Sequence, residues 1–437
     1  MLALWLVLLW QPTAVLAAGF WLSFAAVALI LYAMQGRLQV ANLWWRWGRV
    51  QWVVSLGLLP LLVLFFGQGS LSSPLANLIA VPWVSLVVVP LTLMGTALLL
   101  VFEPLGRVLV SLAAWAFQGL WPILEWLHAT VPVLQRPPHG PTLALAAIGL
   151  MWGLLPRGWP ARWLGLLLCL PLLWYRPPQP EPGQAWFTLL DVGQGLAAVV
   201  RTQRHVLVFD TGPGFASGFN TGDAVLLPYL RHQGITAVDK LVISHSDMDH
   251  LGGAHALVAG MPVAQVFSGE ARRMDWTPFT PCQQGQSWQW DGVRFTFLYP
   301  SRALTQRQGN NDSCVLRVQA GEQVLLLTGD IEAGAERELL ASGEPLAAQV
   351  LVVPHHGSET SSQPAFVSEV APQWALFSAG YRNRHGHPRE GVLARYHLIG
   401  ADTMQTWRDG AIHLRLEGAE IRPHGYRHRA RRYWHSE

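Results

Sequence analysis

The most constraining feature of this 437-residue sequence is a sharp change in its content of ionisable residues near residue 183. Residues 1–183 contain eight arginines, three acidic residues and no lysine, whereas 24 of the 27 acidic residues follow them. Charges are costly in hydrocarbon, so long segments with so few of them are typical of membrane helices. The sequence therefore predicts an N-terminal membrane part, residues 1–176, and a soluble C-terminal part.

Seven segments decide how often the first part crosses the bilayer, for which a helix needs about 20 residues. Six of them are apolar throughout, and the first also resembles a secretory signal, although no positive charge precedes it. The seventh, Leu105 to His128, is amphipathic, a pattern that fits a crossing, a re-entrant or an interfacial helix. The six apolar segments are Leu2 to Leu16, Gly19 to Met34, Trp52 to Phe66, Ile79 to Phe102, Pro141 to Leu155 and Trp163 to Tyr175.

Arginines predict the orientation of these segments, because positively charged loops stay in the cytoplasm. Arg37, Arg46 and Arg49 fall in one loop, and Arg157 and Arg162 fall in another. If the amphipathic segment crosses, both loops lie on the cytoplasmic side. The C-terminal part is then expected outside the inner membrane, in the periplasm or its equivalent.

Prolines separate the two parts of the chain. The segment from Arg176 to Gly183, RPPQPEPG, ends the last apolar stretch, since proline lacks an N–H donor and blocks helix continuation. Residues 177–183 are therefore expected to form a stiff linker. Strand-like and helix-like patterns follow it, which predicts a layered α/β domain over residues 184–424. The strand-like segments are Trp186 to Leu190, His205 to Phe209, Val293 to Leu298, Val315 to Val318 and Val324 to Leu327, and the helix-like ones include Ala333 to Ala341 and Glu390 to Leu398.

One hexapeptide in this domain, His245-Ser-Asp247-Met-Asp249-His250, places four potential metal ligands on a single turn. A buried strand pattern precedes it from Val238, and a helix pattern follows it from Gly253. Two histidines and two aspartates exceed what one four-coordinate ion takes from a single loop, so we expect two adjacent metal ions. The alternative is a polar helix start whose aspartates only cap the helix.

The hexapeptide resembles the HxDxDH form of the metallo-β-lactamase-fold signature, and the chain as a whole resembles the ComEC family of DNA-internalisation competence proteins. The resemblance implies a polytopic α-helical transmembrane bundle followed by an α/β metallo-β-lactamase-like αββα sandwich. Members of the family usually carry further transmembrane helices and a small β-barrel domain before the matched region, so we expect the chain to be N-terminally truncated relative to them. The other matching segments are Gly69 to Asn77, Asp191 to Gly195, Phe209 to Gly212, Thr328 to Asp330 and Pro354 to Ser358.

Further metal ligands are expected at the ends of two later strand patterns. The resemblance makes Asp330 the ligand that bridges both ions, and the alternative is a helix cap. His355 and His356 follow the second pattern. Adjacent side chains on an extended segment point in opposite directions, so one histidine is expected to bind metal while the other supports it or touches substrate.

The ligand set also bears on the choice of metal. No histidine occurs at Asn310 to Ser313, where many relatives in the wider superfamily supply another ligand, and Asp247 replaces the second histidine of the commoner HxHxDH form. An oxygen-rich site favours Mn²⁺ for the two divalent ions, with Zn²⁺ as the alternative. Asp249 and His387 are the expected catalytic residues, His387 as a late general acid.

Substrate contacts are expected on two loops. Asn311 and Ser313 are predicted to touch a substrate phosphate, with a loop cap as the alternative. Arg382 and Arg384 belong to a segment, residues 382–388, that resembles the family's NxxGHP motif, and both are predicted to hold phosphate, with a solvated basic loop as the alternative. The expected supporting residues are Asp191, Asp210, Gly193 and Gly195. The two glycines fit either plain turns or close approach of the backbone to phosphate.

Two remaining features carry less functional information. Cys169, Cys282 and Cys314 show no spacing typical of a disulfide framework or of a zinc knuckle. The basic tail, residues 425–437, is expected to be disordered rather than to follow a nucleic-acid backbone. The charge of −2 on the part after residue 183 shows no electrostatic signature of a nucleic-acid-binding protein.

The leading hypothesis is a DNA-uptake protein of natural transformation in the bacterial inner membrane. Its dinuclear-metal phosphodiesterase domain would degrade one strand of incoming DNA while the membrane domain contributes to a channel. The expected partners are single-stranded or incoming double-stranded DNA, membrane lipid, other competence proteins, a separate N-terminal portion of the same system, and a second copy of the chain in a homodimer. The alternatives are a membrane-tethered hydrolase of another phosphodiester or ester, and a non-catalytic DNA-binding channel component.

Overall fold

A computed structural model describes most of the chain: residues 2–34, 43–131, 133–155, 158–270, 274, 277–301, 309–418 and 420–431, without the side chains of residues 34 and 43–47. Contacts divide the chain into two compact units, one of residues 1–177 with 231–234 and the other of 178–230 with 235–437. The division falls at the predicted proline-rich linker. Arg37, Arg157 and the side chain of Arg46, on which the predicted orientation depends, lie outside the described residues.

The first unit is helical apart from one short pair of strands that are distant in sequence. A 3₁₀ turn at Pro12–Leu16 interrupts the first predicted apolar segment, and strands β1 (Gln68–Ser70) and β2 (Val133–Gln135) pair antiparallel. The helices are α1 (Leu2–Trp10), α2 (Ala18–Met34), α3 (Leu43–Gly57), α4 (Leu59–Phe66), α5 (Ser73–Trp83), α6 (Val89–Leu99), α7 (Glu103–Thr130), α8 (Gly140–Gly153) and α9 (Leu164–Trp174).

Three helical stretches in the described residues are long and apolar enough to cross a membrane, judged by length and composition: Gly48–Phe66, Ser73–Leu99 and Glu103–Thr130. The third contains the amphipathic segment whose status the sequence left open. The second continues through Pro82 and Pro90 because a π-helical turn, Val84–Val88, lies between them. Since proline removes a donor and clashes with the carbonyl four residues earlier, a widened turn accommodates the ring.

The second unit consists of two β-sheets packed face to face. The eight-stranded sheet has the order β17-β16-β3-β4-β5-β6-β7-β8, and the seven-stranded sheet has the order β15-β14-β13-β12-β11-β10-β9. The first contains β3 (Ala185–Leu189), β4 (Ala197–Arg201), β5 (Val206–Thr211), β6 (Val238–Ile243), β7 (Val263–Ser268), β8 (Thr280–Pro281), β16 (Ile412–Leu416) and β17 (His424–Gly425). The second contains β9 (Ser287–Trp290), β10 (Val293–Tyr299), β11 (Val315–Ala320), β12 (Gln323–Leu327), β13 (Val350–Val352), β14 (Trp374–Phe377) and β15 (Asp402–Gln405).

Helices cover the outer face of each sheet, which gives four layers. One apolar core lies between the sheets and includes Phe187, Phe209, Phe295 and Leu325. A second core packs helices onto the seven-stranded sheet, and a third packs helices onto the eight-stranded sheet. The αββα sandwich predicted from the sequence is therefore confirmed. The helices of this unit are α10 (Leu227–His232), α11 (Met248–Leu251), α12 (Ala254–Gly260), α13 (Ala333–Ser342), α14 (Pro364–Val370), α15 (Glu390–Leu398), α16 (Thr406–Asp409) and α17 (Tyr426–Arg429).

Parallel pairing determines where polar side chains gather. Strands β5, β6 and β7 run parallel in one sheet, and β12, β13, β14 and β15 run parallel in the other. The carboxyl ends of parallel strands meet at one edge of their sheet, and ligand sites of α/β proteins form there. The loops after β6, β12 and β13 carry the predicted metal ligands.

A buried glutamate joins two of the covering helices. Glu336 of α13 is fully buried and accepts hydrogen bonds from the backbone N–H groups of Ser362 and Gln363, at the start of α14. Burial raises the pKa of Glu336 from 4.5 to about 7, although these two hydrogen bonds lower it. The folded protein therefore binds a proton more tightly here than the unfolded chain does.

We expect this glutamate to make stability fall as the pH rises. A carboxyl whose pKa is raised on folding stabilises the protein fully below its unfolded pKa of 4.5, and this contribution is lost as the pH passes 7. The loss amounts to about 3 kcal/mol of unfolding free energy. Thermal midpoints at pH 5 and pH 8 should differ less in Glu336→Gln than in the wild type, whereas Glu369→Gln, which removes an exposed carboxylate from α14, should leave the difference intact. Identical pH dependence in the wild type and Glu336→Gln would contradict the expectation.

Candidate metal centre

Four predicted ligands come together at the edge where the two sheets meet. The ligand atoms of Asp249, His250, Asp330 and His356 all lie within 4.8 Å of one another. Asp249 and His250 belong to α11, which begins right after the turn that follows β6, while Asp330 follows β12 and His356 follows β13. Three loops that are distant in sequence therefore converge on one point.

The distances within this cluster are those of side chains facing a common centre. The Asp330 carboxylate lies 3.1 Å from His250 Nε2 and 3.3 Å from His356 Nε2. The two Nε2 atoms are themselves 3.3 Å apart, and His356 Nε2 is 3.4 Å from the Asp249 carboxylate. Two imidazole nitrogens and two carboxylate oxygens make up a donor set that suits a divalent transition metal.

Attraction between the imidazoles and the carboxylates shifts the pKa values of this cluster. Burial alone would lower the pKa of His356, but the Asp330 carboxylate raises it to about 9, and Asp330 and Asp210 likewise raise the pKa of His250. Burial alone would raise the pKa of Asp330, but the charges of His250 and His356 lower it well below its usual value. A metal ion must displace protons from both imidazoles, so its binding strengthens as the pH rises.

His245 and Asp247 lie beside the four clustered residues. The His245 ring is buried with its centroid 4.3 Å from that of His250, and its Nε2 is 3.6 Å from the Asp247 carboxylate. Within the part of the chain that the structure describes, His245 Nε2 has no hydrogen-bond partner. A buried polar atom without a partner is destabilising unless a ligand satisfies it, so this atom and the half-exposed Asp247 fit a second ion. Asp247 makes no side-chain cap to α11, which argues against the helix-cap alternative.

The two adjacent histidines occupy different environments. The expectation of an extended segment was wrong, because Pro354–Gly357 forms a turn in which His355 and His356 have left-handed φ values of 49° and 55°. His356 joins the cluster, whereas His355 is about 20% exposed and lies 3.9 Å from Asp330. The other ring nitrogen of His355 faces the Glu332 carboxylate at 3.3 Å and the Thr360 hydroxyl at 3.1 Å.

Supporting groups fix the orientation of both clustered histidines. His250 Nδ1 lies 2.8 Å from Asp210, whose other oxygen accepts a hydrogen bond from the Ser244 N–H, and His356 Nδ1 donates to the carbonyl of Ser378. Such partners on the second ring nitrogen determine which nitrogen is left to face the metal. Asp210 has the side-chain contact expected of a supporting carboxylate. Ser244 and Ser378 are supporting residues that no sequence motif indicated.

The glycine-rich loop after β3 supports the metal turn. The N–H of Leu196 donates to the Asp249 carbonyl, and a Cβ on Gly195 would lie 2.3 Å from the same oxygen. Close backbone approach therefore requires glycine at this position, independently of any phosphate. Asp191 is not part of this support: its carboxylate lies 2.7 Å from the Arg427 guanidinium, and Gly193 donates a backbone hydrogen bond to it.

Two predicted substrate contacts make hydrogen bonds within the protein. The Asn311 side-chain oxygen accepts hydrogen bonds from the N–H groups of Glu332 and Ala335, so Asn311 caps the start of α13. Ser313 is fully buried, and its hydroxyl accepts a hydrogen bond from the Asp330 N–H and lies 3.4 Å from His245 Nδ1. The loop-cap alternative was correct for Asn311, and Ser313 supports two predicted ligands. Because Asn311 caps the start of α13, Asp330 is not needed as the cap of that helix.

The loop after β14 forms an outer part of the site. Asn383 braces it by hydrogen bonds to Gly380 and to both backbone groups of His387, whose ring centroid lies 5.8 Å from that of His355. Burial and the nearby histidines lower the pKa of His387 to about 4, which leaves the ring neutral near pH 7. The Arg382 guanidinium lies over the Tyr381 ring, and Arg384 donates to His385.

One expectation was wrong outside the cluster, and one covalent bond was not indicated by the sequence. Residues 425–431 are ordered rather than a disordered tail, since Arg427 pairs with Asp191 and His428 lies 2.9 Å from Asp409; residues 432–437 lie outside the described part. Cys282 and Cys314 form a disulfide with Cα atoms 5.8 Å apart, although their separation of 32 residues resembles no framework. The bond joins the end of β8 in one sheet to the start of β11 in the other.

Comparisons with known proteins agree with the division into two units. Residues 1–160 match the competence protein family, and residues 190–373 match the metallo-beta-lactamase superfamily. Similar proteins include "Competence protein ComA" of Neisseria gonorrhoeae, 39% identical over 422 residues, and "ComE operon protein 3" of Bacillus subtilis, 28% identical over 443 residues. They match 95% and 94% of this chain, and the chain spans 58% and 57% of their lengths. Igni18, a metallo hydrolase from Ignicoccus hospitalis, matches 55% of this chain and 98% of its own at 13% identity with a TM-score of 0.35.

The fold and the clustered ligands define the second unit as a metal-dependent hydrolase domain of the metallo-β-lactamase superfamily. It follows a helical region of the competence membrane class. The two matches and these relatives are consistent with the ComEC family that the sequence predicts. The chain spans little more than half the length of the curated relatives that it matches.

Proposed function

We propose that this protein is a membrane-anchored, divalent-metal-dependent phosphodiesterase that cleaves DNA during uptake. The observation that carries the proposal is the cluster of Asp249, His250, Asp330 and His356, built on a chain that matches competence proteins along both parts. His245 and Asp247 complete a second ligand group. Two divalent ions, Mn²⁺ before Zn²⁺, would lower the pKa of bound water and neutralise the phosphate oxygens.

The chain's own residues have three tasks in such a reaction. Asp330 lies between His250 and His356 and is the one carboxylate of the cluster that contacts both imidazoles, which suits a bridging ligand. Asp210 and Ser378 hold the two imidazoles in place. His387, neutral near pH 7, and the half-buried His355 lie on the outer side, where a neutral imidazole N–H can donate a hydrogen bond to a departing oxygen.

We also propose that the hydrolase domain lies outside the inner membrane. The Cys282–Cys314 disulfide supports this placement, because disulfides form and persist in oxidising compartments. In that setting the membrane helices contribute to a DNA channel, with lipid, other competence proteins, a separate N-terminal portion and a second copy of the chain as partners. The test is a reporter that works only in the cytoplasm, fused after Glu437. Activity of this reporter would overturn the placement.

The substrate is tested with the full-length protein purified in detergent. With Mn²⁺ it should release nucleotides or fragments from labelled single-stranded DNA, and chelation with EDTA should abolish the release. Activity confined to small esters would favour a tethered hydrolase of another substrate. DNA binding without cleavage, at any divalent metal, would favour a non-catalytic channel component.

A further inference from the structure

An exposed tyrosine on the loop after β14, which borders the metal cluster, contacts a half-buried tryptophan of α16. Tyr381 is 57% exposed, and its ring centroid lies 5.7 Å from that of Trp407 at an angle of 42°. The Arg382 guanidinium lies over the Tyr381 ring at 5.1 Å. An exposed aromatic ring at the border of a polar site offers a surface on which a planar ligand can stack.

Trp407 is fixed within the domain, and Tyr381 is exposed beside it. Trp407 is held by a hydrogen bond from its indole N–H to the Gln405 side chain, and its carbonyl accepts a hydrogen bond from Arg427. The Tyr381 ring contacts Trp407 and the Arg382 guanidinium. Because Tyr381 is still 57% exposed, part of its ring is accessible for stacking.

The loop fixes Tyr381 close to the metal ligands. Tyr381 is three residues from Ser378, whose carbonyl accepts the His356 N–H and whose hydroxyl donates to Gly195. Three residues span at most about 11 Å of extended chain. The other end of the loop is His387, beside His355, and Asn383 braces the two ends. Tyr381 is therefore within the reach of a nucleoside next to a phosphate bound at the cluster.

The chemistry of this surface selects one kind of occupant. A planar ring that solvent can reach stacks with an unpaired base, and neighbouring arginines such as Arg382 and Arg384 attract the phosphates on either side of it. Bases in a duplex are stacked on one another and offer no free face. Proteins that bind single strands combine aromatic stacking with basic side chains in this way.

We propose that Tyr381, backed by Trp407 and Arg382, stacks on a base of single-stranded DNA next to the phosphodiester that is cleaved. The inference rests on the proposed phosphodiesterase function and adds that the site prefers an unpaired strand. Tyr381 acts in binding, because it positions the strand without touching the reacting phosphorus.

The test compares Tyr381→Ala, Tyr381→Leu and Tyr381→Phe in the full-length protein with Mn²⁺. The substrates are an oligothymidylate, the same strand in a blunt duplex, and bis(4-nitrophenyl) phosphate, which carries no base. The selectivity ratio is kcat/KM for the oligothymidylate divided by kcat/KM for the small phosphodiester. Loss of the ring should reduce this ratio about 10-fold, mainly by raising the KM for the oligothymidylate. Tyr381→Phe should keep the wild-type ratio. Tyr381→Leu should not, because an apolar side chain of similar size does not stack.

Two outcomes would overturn the inference. Equal losses on the oligothymidylate and the small phosphodiester would assign Tyr381 a structural role, and wild-type kcat/KM on both substrates in Tyr381→Ala would remove it from the binding surface. Fluorescence anisotropy of a labelled oligothymidylate in EDTA keeps the inference separate from the proposed function. If the wild type cleaves nothing, weaker binding by Tyr381→Ala but not by Tyr381→Phe still supports the stacking surface, and equal binding by all variants excludes it.

Discussion

Replacing Asp330 by asparagine is expected to reduce kcat/KM for single-stranded DNA by about 10³-fold or more. The carboxylate contacts His250 and His356 together, so the neutral amide removes the negative charge that would hold a divalent metal ion beside both imidazoles. Asparagine keeps the shape of the side chain, and the N–H of residue 330 can still donate to Ser313. Initial rates with Mn²⁺ and the metal content of the purified protein measure the effect.

Two matched carboxylate replacements separate the ligand role from general loss of charge. Asp210→Asn changes a residue that orients His250 without belonging to the cluster, and supporting partners of this kind cost about 10- to 100-fold in metal affinity or activity when they are lost. Asp402→Asn removes an exposed carboxylate from β15 and should change nothing. A rate for Asp330→Asn equal to that of Asp402→Asn would exclude Asp330 from the chemistry.

The sequence predicts the metal turn well because its information is local. Four ligand-type residues within six positions, between a strand pattern and a helix pattern, have few other uses. The structure forms β6 and α12 at those places and brings Asp249 and His250, on the intervening α11, to the point where Asp330 and His356 arrive. Most of the strand-like segments are confirmed for the same reason, since continuous apolar runs such as Gln323–Leu327 are buried on both faces.

Residues whose role depends on a distant partner could not be placed in this way. The choice between His355 and His356 depends on left-handed backbone values in a turn, whereas the preceding apolar strand suggests continued extension. Asn311 faces the start of α13, and Ser313 faces His245 and Asp330, through contacts that form only when β11 and β12 pair. In the sequence, Arg427 belongs to a basic tail, because its partner Asp191 lies 236 residues earlier.

The disulfide is the clearest case of information that is absent from sequence spacing. Cys282 follows β8 of the eight-stranded sheet, and Cys314 precedes β11 of the seven-stranded sheet. Both are fully buried in the core between the sheets, where their backbone N–H groups donate to Ser268 and Ser244. The pairing exists because the two sheets pack face to face, and no local pattern encodes that packing.

Removing this disulfide is expected to lower the free energy of unfolding by about 3–4 kcal/mol, because its closed loop of 32 residues restricts the unfolded chain. In a unit of this size the loss corresponds to a decrease of roughly 6–16 °C in the thermal midpoint. The double variant Cys282→Ala/Cys314→Ala avoids leaving a single reactive thiol in the apolar core. Activity should fall as well, since residue 314 follows Ser313, whose hydroxyl contacts both Asp330 and His245.

The control is the third cysteine of the chain, Cys169 of α9, which is not disulfide-bonded in the structure. Cys169→Ser should leave the unfolding transition of the hydrolase domain unchanged, because it lies in the other unit. Alkylation of the denatured wild type without reductant should modify Cys169 alone, and reduction beforehand should expose all three thiols. Three modified cysteines in unreduced protein isolated from cells would contradict the disulfide, and with it the strongest structural support for a domain that folds in an oxidising compartment.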